Sequence, residues 1–165
     1  KQTSESDTTK ISFYEDTYSL YNLYRFAHYY EEAYGKYIWL KSGASLVIEH
    51  TEAMTVIDVN TGSVLKKKKQ EDTLFYYINR EAAKEIARHL RLRNISGIIM
   101  IDFINMKDTA QKEKLLSLLD SECKKDRVHC NVIDMTALNL VEMTRSKVRK
   151  PLHEQIRSCM KNNRS

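Results

Sequence analysis

Proline and glycine are scarce in this chain: its 165 residues hold one proline, Pro151, and four glycines, Gly35, Gly43, Gly62 and Gly97. No internal repeat and no low-complexity block interrupts the sequence, and its length suits one folded unit. Cysteine is also little used. Cys123, Cys130 and Cys159 are odd in number and form no C-x-x-C pair, so neither a disulfide framework nor a self-contained zinc site is indicated. No apolar run approaches the roughly 20 residues that a membrane-spanning helix needs. The opening residues, Lys1 to Asp7, lack a signal-peptide core, and the chain reads as soluble and cytoplasmic. What remains is ordinary for a globular domain with a real core: 42% of residues are hydrophobic and 30% charged. The formal charge of +5 and the run Lys66-Lys67-Lys68-Lys69 are compatible with a polyanionic partner, although four lysines in a loop also serve as plain solvated surface.

Periodicity divides the chain further. Residues 1–11 are polar and aperiodic and read as a disordered arm. From Asp16 to Tyr34 apolar residues recur every three or four positions, which predicts an amphipathic helix capped by Asp16 or Thr17, stopped by Gly35, and turning its tyrosines toward the core. Three extended segments follow, 37–41, 45–49 and 53–60, joined so tightly that they must form an antiparallel meander. Helical spacing returns over 74–92, with Asn94 as the stop. The arginines and lysines of that helix (Arg80, Lys84, Arg88, Arg91, Arg93) either hold phosphates or alternate with glutamates as solvated surface. A strand over 97–103, a helix over 109–125, and strands over 128–135 and 138–144 complete the pattern. Residues 151–165 form a basic tail with too little apolar content to pack.

Two of these strands carry a lone acid near their C-terminal ends. In Val56-Ile57-Asp58-Val59-Asn60, strand alternation puts Asp58 and Asn60 on one face and Ile57 and Val59 on the other. Ile98-Ile99-Met100-Ile101-Asp102-Phe103 has the same form. The helix between the two strands is the crossover that lets them lie parallel, so Asp58 and Asp102 can be neighbours. Two carboxylates and an amide suit a hard divalent cation. The same residues could equally make Asx-turns at a strand end and cap the following loop. His28, His50, His89 and His153 read as surface or packing residues.

Several long blocks, in order, carry a resemblance. They are Ile38-Trp39-Leu40-Lys41-Ser42-Gly43, Thr51-Glu52-Ala53-Met54-Thr55-Val56-Ile57-Asp58-Val59-Asn60-Thr61-Gly62, Glu81 to Ile95, Gly97 to Ile104, Lys125-Asp126-Arg127, and Leu140 to Arg145. Over residues 12–150 the chain resembles the catalytic core of the ribonuclease E/G family, and specifically its DNase I-like subdomain, an α+β fold with a mixed sheet packed against helices. The resemblance implies an endoribonuclease that cleaves single-stranded RNA by metal-activated water and leaves a 5′-phosphate and a 3′-hydroxyl. It implies magnesium, with manganese as a substitute, on Asp58 and Asp102, with Asn60 completing the catalytic set and Lys41, Arg127 and His129 on the RNA. Three departures stand out. Asn105 replaces an aspartate of the family's I-D-F-I-D-M, and His129 stands where a basic residue is common. The family's zinc-linking C-P-x-C appears as Cys159-Met160-Lys161-Asn162, so a zinc-linked tetramer is not expected, while another homo-oligomer is left open. The alternative reading is a catalytically weak RNA-binding or scaffold module of the same fold.

Overall fold

A computed structural model describes residues 13–62 and 71–162. The lysine run and the polar arm lie outside these residues. Six strands form one mixed sheet: β1 (Tyr37–Trp39), β2 (Ser45–His50), β3 (Met54–Asn60), β4 (Gly97–Asp102), β5 (Cys130–Met135) and β6 (Leu140–Arg145). Their order across the sheet is β1-β2-β3-β4-β6-β5. The short turns make β1, β2 and β3 the expected antiparallel meander. β3 and β4 are parallel, and the helix α3 (Glu71–Leu92) makes the crossover between them. The fold is therefore α+β, with helices α3 and α4 (Thr109–Cys123) packed on each other and on one side of the sheet.

Alternation decides which face is covered. Leu46 and Ile48 of β2, Ile57 and Val59 of β3, Ile99 and Ile101 of β4, and Val141 and Met143 of β6 are buried, and they pack with Ile78, Ala82, Ala83, Ile86, Ala87 and Leu90 of α3. Their sequence neighbours face the other way and, apart from the buried Ser45, are half-buried or exposed, so the second face is largely open among the described residues. α3 ends as its sequence requires. Asn94 adopts a left-handed conformation (φ 48°), Ile95 N–H reaches back to the Leu90 carbonyl, and Asn94 N–H reaches the Arg91 carbonyl, a Schellman closure.

The structure corrects two expectations. The single helix over Asp16 to Tyr34 is two pieces, α1 (Leu20–Leu23) and α2 (Phe26–Tyr34), broken where Arg25 takes φ 49°. Its tyrosines are not core: Tyr18, Tyr21, Tyr24, Tyr29, Tyr30 and Tyr34 are all exposed, and Ala33 alone is buried in α2. The apolar spacing is real, but it only says that one side is greasier than the other. The basic tail, in turn, contains a helix, α5 (Leu152–Asn162), and is anchored at its start. Pro151 is buried, Leu152 N–H donates to the Arg93 carbonyl, and the Asn94 side-chain amide donates to the Arg149 carbonyl. The Arg93 carbonyl and the Asn94 side-chain amide, both just past the end of α3, hold the start of this segment.

Candidate functional site

The register brings the two acids together. Asp58 is the Cα partner of Asp102 on adjacent parallel strands, which places their backbones about 4.8 Å apart. The same row continues through Val47 and Tyr37 on one side and Leu140 on the other, all on the open face. Asn60, two residues on from Asp58, shares its side. The Asn60 amide donates to the Asp58 carboxylate at 2.7 Å, which fixes the rotamer of that acid. Partial burial, and then the charge of Asp58, hold the Asp102 carboxyl above its ordinary range. Two like charges held side by side with no cationic side chain bonded to either among the described residues form an oxygen donor set for a divalent cation, and the residues present fit such an ion.

Neighbouring elements lock this end of the sheet. Asn79, fully buried on α3, donates to the Ile104 carbonyl at 2.7 Å and accepts from Ile104 N–H at 3.0 Å, pinning the loop that leaves Asp102. The sequence did carry a signal for it, a polar residue inside the apolar stripe of a helix. Glu81 accepts from Lys41 N–H at 2.8 Å and Ser42 N–H at 3.2 Å and so holds the β1–β2 turn. Gly62 ends β3 with φ 56°, and a Cβ there would lie 2.6 Å from the Gly43 carbonyl oxygen, so only glycine lets the strand end seat against that turn.

Lys41 therefore stands at the same end of the sheet as the acids. It lines a hollow of about 490 Å³ with Arg80, Lys84 and Tyr77. Arg127 and His129 do not. β5 runs parallel to β4 because β6 lies between them and is antiparallel to both, so the turn leading into β5 sits at the start of β4. Both residues are exposed there, offset from the acids by roughly 17 Å along the strands, the length of five strand residues, and by two strands across the sheet from β4. Arg127 lines a separate hollow of about 570 Å³ with Arg91, Lys125 and Arg149.

A second cluster was not read from the sequence, although Glu85 and His89 are one helical turn apart. Glu32, Glu85 and His89 bring ligand-type atoms within 4.8 Å of one another. Arg88 already bridges both carboxylates, so a guanidinium occupies the position a metal would take. His89 is fully buried and accepts from Arg93 Nε at its Nδ1 at 3.0 Å. Burial, with the charges of Arg93 and Arg88, pushes its pKa down to about 3, and it is neutral. His50 is likewise pushed down to about 4, by burial first and then by His153.

These two histidines set a pH dependence. The unfolded chain takes up their protons near the ordinary value of 6.5, whereas the folded chain resists until about 4 and about 3. The unfolded state binds more protons in that window, so stability is greatest above 6.5 and falls steadily as pH drops toward 4. Urea unfolding at successive pH values should show this slope, and His50→Asn should flatten it. Asp102 works in the opposite sense, because its raised pKa makes protonation favour the fold.

Comparison with known proteins accords with this geometry. The model of the ribonuclease E/G family matches residues 1–148. The chain is 40% identical over 145 residues to ribonuclease G of Escherichia coli K12, covering 88% of this chain and 29% of that protein. It is 42% identical over 143 residues to ribonuclease G of Haemophilus influenzae, covering 87% and 29%. Against ribonuclease E of Nostoc it is 36% identical over 144 residues, covering 87% and 21%. The chain thus spans less than a third of the length of these curated relatives. It belongs to the ribonuclease E/G family.

Proposed function

We propose that this chain carries the metal-dependent centre of an endoribonuclease that cuts single-stranded RNA during RNA processing or decay in the cytoplasm. The observation that carries this reading is the in-register pair Asp58 and Asp102, with Asn60 clipped to Asp58, on the uncovered face of the sheet. Asp58 and Asp102 would hold magnesium, or manganese in its place. When bound, such an ion withdraws charge from a phosphodiester and lowers the pKa of its water. In-line displacement by water breaks the P–O3′ bond, so one product keeps a 5′-phosphate and the other gains a 3′-hydroxyl.

The chain's own residues prepare that step. The Asn60 amide keeps the Asp58 carboxylate from rotating away. Asn79 and Glu81 fix the loops on either side. Lys41, with Arg80 and Lys84 beside it, would offer cations to backbone phosphates at this end of the sheet. Arg127 and His129, at the far end of the sheet, would meet the same strand several nucleotides away rather than at the cut.

The test is cleavage of a fluorogenic 5′-monophosphorylated single-stranded RNA by the folded chain, with magnesium and with a chelator. Cleavage only with metal, yielding 5′-phosphate and 3′-hydroxyl ends, is the expected result. RNA bound without cleavage at any magnesium concentration would overturn the enzymatic reading and leave a binding module.

A further inference from the structure

Arg93 is a buried cation that makes no ion pair of its own among the described residues, the Glu32 charge acting on it without a direct bond. It is only 5% exposed. Its Nε donates to the neutral His89 at 3.0 Å and one terminal nitrogen donates to the Glu32 backbone carbonyl at 3.1 Å. The Glu32 carboxylate is taken by Arg88, and among the described residues Arg93 forms no ion pair. A buried guanidinium with hydrogen bonds but no direct ion pair is costly, and the cost is relieved when an anion is brought to it.

A cavity of about 400 Å³ opens beside it. The lining comes from four separate elements: Arg93 ends α3, His50 ends β2, His153 and Arg157 lie on α5, and Lys36 precedes β1. Glu49 is the one carboxylate of the lining, and it is bonded to Lys36. Arg93 and Arg157 are therefore the two cations of the lining that form no ion pair among the described residues. The His50 and His153 rings stack 3.7 Å apart at 11°, forming one wall. His50 Nδ1 is engaged with the Thr55 hydroxyl at 3.0 Å, so the ring is held in place. The first turn of α5 also enters the cavity through Leu152 and His153, and a helix start favours negative charge. Two cations, a walled hollow within the size range of small-ligand sites, and a buried guanidinium without an ion pair describe an anion site.

We infer that this cavity binds a phosphate-type oxyanion between Arg93 and Arg157. It lies at the end of the sheet opposite Asp58 and Asp102, on the helix-covered side, and so is independent of the proposed cleavage centre. Burial pulls the Arg93 pKa down to about 10, although the Glu32 charge acts against that fall. The phosphate could arrive free or carried on a nucleotide, and the two are distinguished by titrating inorganic phosphate and adenosine 5′-monophosphate separately.

The experiment is calorimetric titration of the full chain with each probe, accompanied by NMR of the histidine ring protons. Millimolar phosphate should shift the His50 and His153 resonances and leave His129 unmoved. Arg157→Gln, at an exposed position, should weaken binding by about tenfold, the worth of one charge-assisted hydrogen bond. Arg127→Gln and Asp58→Asn should leave it unchanged. Tighter binding of the nucleotide would mark the source as nucleotide-borne, and equal binding would mark it as free phosphate; both support the site. Failure of both probes to bind the folded chain would overturn the inference. So would binding that responds equally to Arg157→Gln and Arg127→Gln, since that describes general attraction to a basic surface.

Discussion

Asp58→Asn and Asp102→Asn should each lower magnesium-dependent cleavage by more than the roughly 10- to 100-fold that outer residues of a metal site cost. The reason is the shape of the donor set. Two carboxylates in neighbouring strand positions would supply the anionic ligands of the proposed metal, and an amide at either place would keep the geometry but remove the charge that competes for a hard cation. Stability should move the other way. Asp102 has its carboxyl held above the ordinary range by burial and by Asp58, so neutralising either acid relieves repulsion in the metal-free chain. Thermal melts should therefore show the variants at least as stable as the parent without magnesium. The parent alone should gain stability when magnesium is added, as mass action requires of a ligand bound only by the folded state. Loss of activity with unchanged magnesium-induced stabilisation would place the metal elsewhere. If the acids merely shaped turns, asparagine would replace them well and neither measurement would change.

Arg145→Met should destabilise the fold by about 3–5 kcal/mol, the usual effect of breaking a buried ion pair from one side. The Arg145 side chain is 3% exposed. It donates to Asp126 Oδ2 at 2.9 Å, and a second nitrogen donates to Asn94 Oδ1 and to the Ile95 carbonyl, both at 2.9 Å. Asn94 in turn donates to the carbonyls of Arg149 and Lys150. One side chain thus ties together the end of α3, the turn after α4, and the segment entering α5. Burial opposes the charge on Asp126, yet Arg145 and the Val128 N–H hold its carboxyl below the usual range. Removing Arg145 leaves that carboxylate buried and unpaired. Asp126→Asn keeps an acceptor for Val128 N–H without the charge, so Arg145→Met should cost distinctly less in that background. Denaturant unfolding of the four proteins in the cycle measures this, and an equal cost in both backgrounds would mean that the ion pair is not what holds the hub.

The sequence made some of this legible because its signals were local. Alternation around Ile57 and Val59, with a helical stretch before the Asp102 strand, was enough to place both acids on one face of parallel neighbours. The meander was forced by connections too short for any crossover. Strand order was not legible. Nothing in the spacing of Val132 or Val141 says that β6 slips between β4 and β5, and that insertion is what carries Arg127 and His129 away from the acids. The break at Arg25 was hidden because the tyrosine period continues across it. α5 was missed because its attachment is made by carbonyls of Arg93 and Arg149, which leave no trace in side-chain composition.

The single parallel pairing in the sheet, β3 with β4, also has a consequence for how the chain reaches its native state. The meander and the β5–β6 hairpin are joined by contacts between sequence neighbours and can form early. Asp58 meets Asp102 across the long α3 crossover, whose closure costs more than that of a hairpin, so the acidic pair is expected among the later contacts made. Electrostatic repulsion at the site then acts on the native basin and not on the nucleus. A cation bound there as proposed would be expected to slow unfolding more than it speeds folding, and so to act as a latch on a finished crossover.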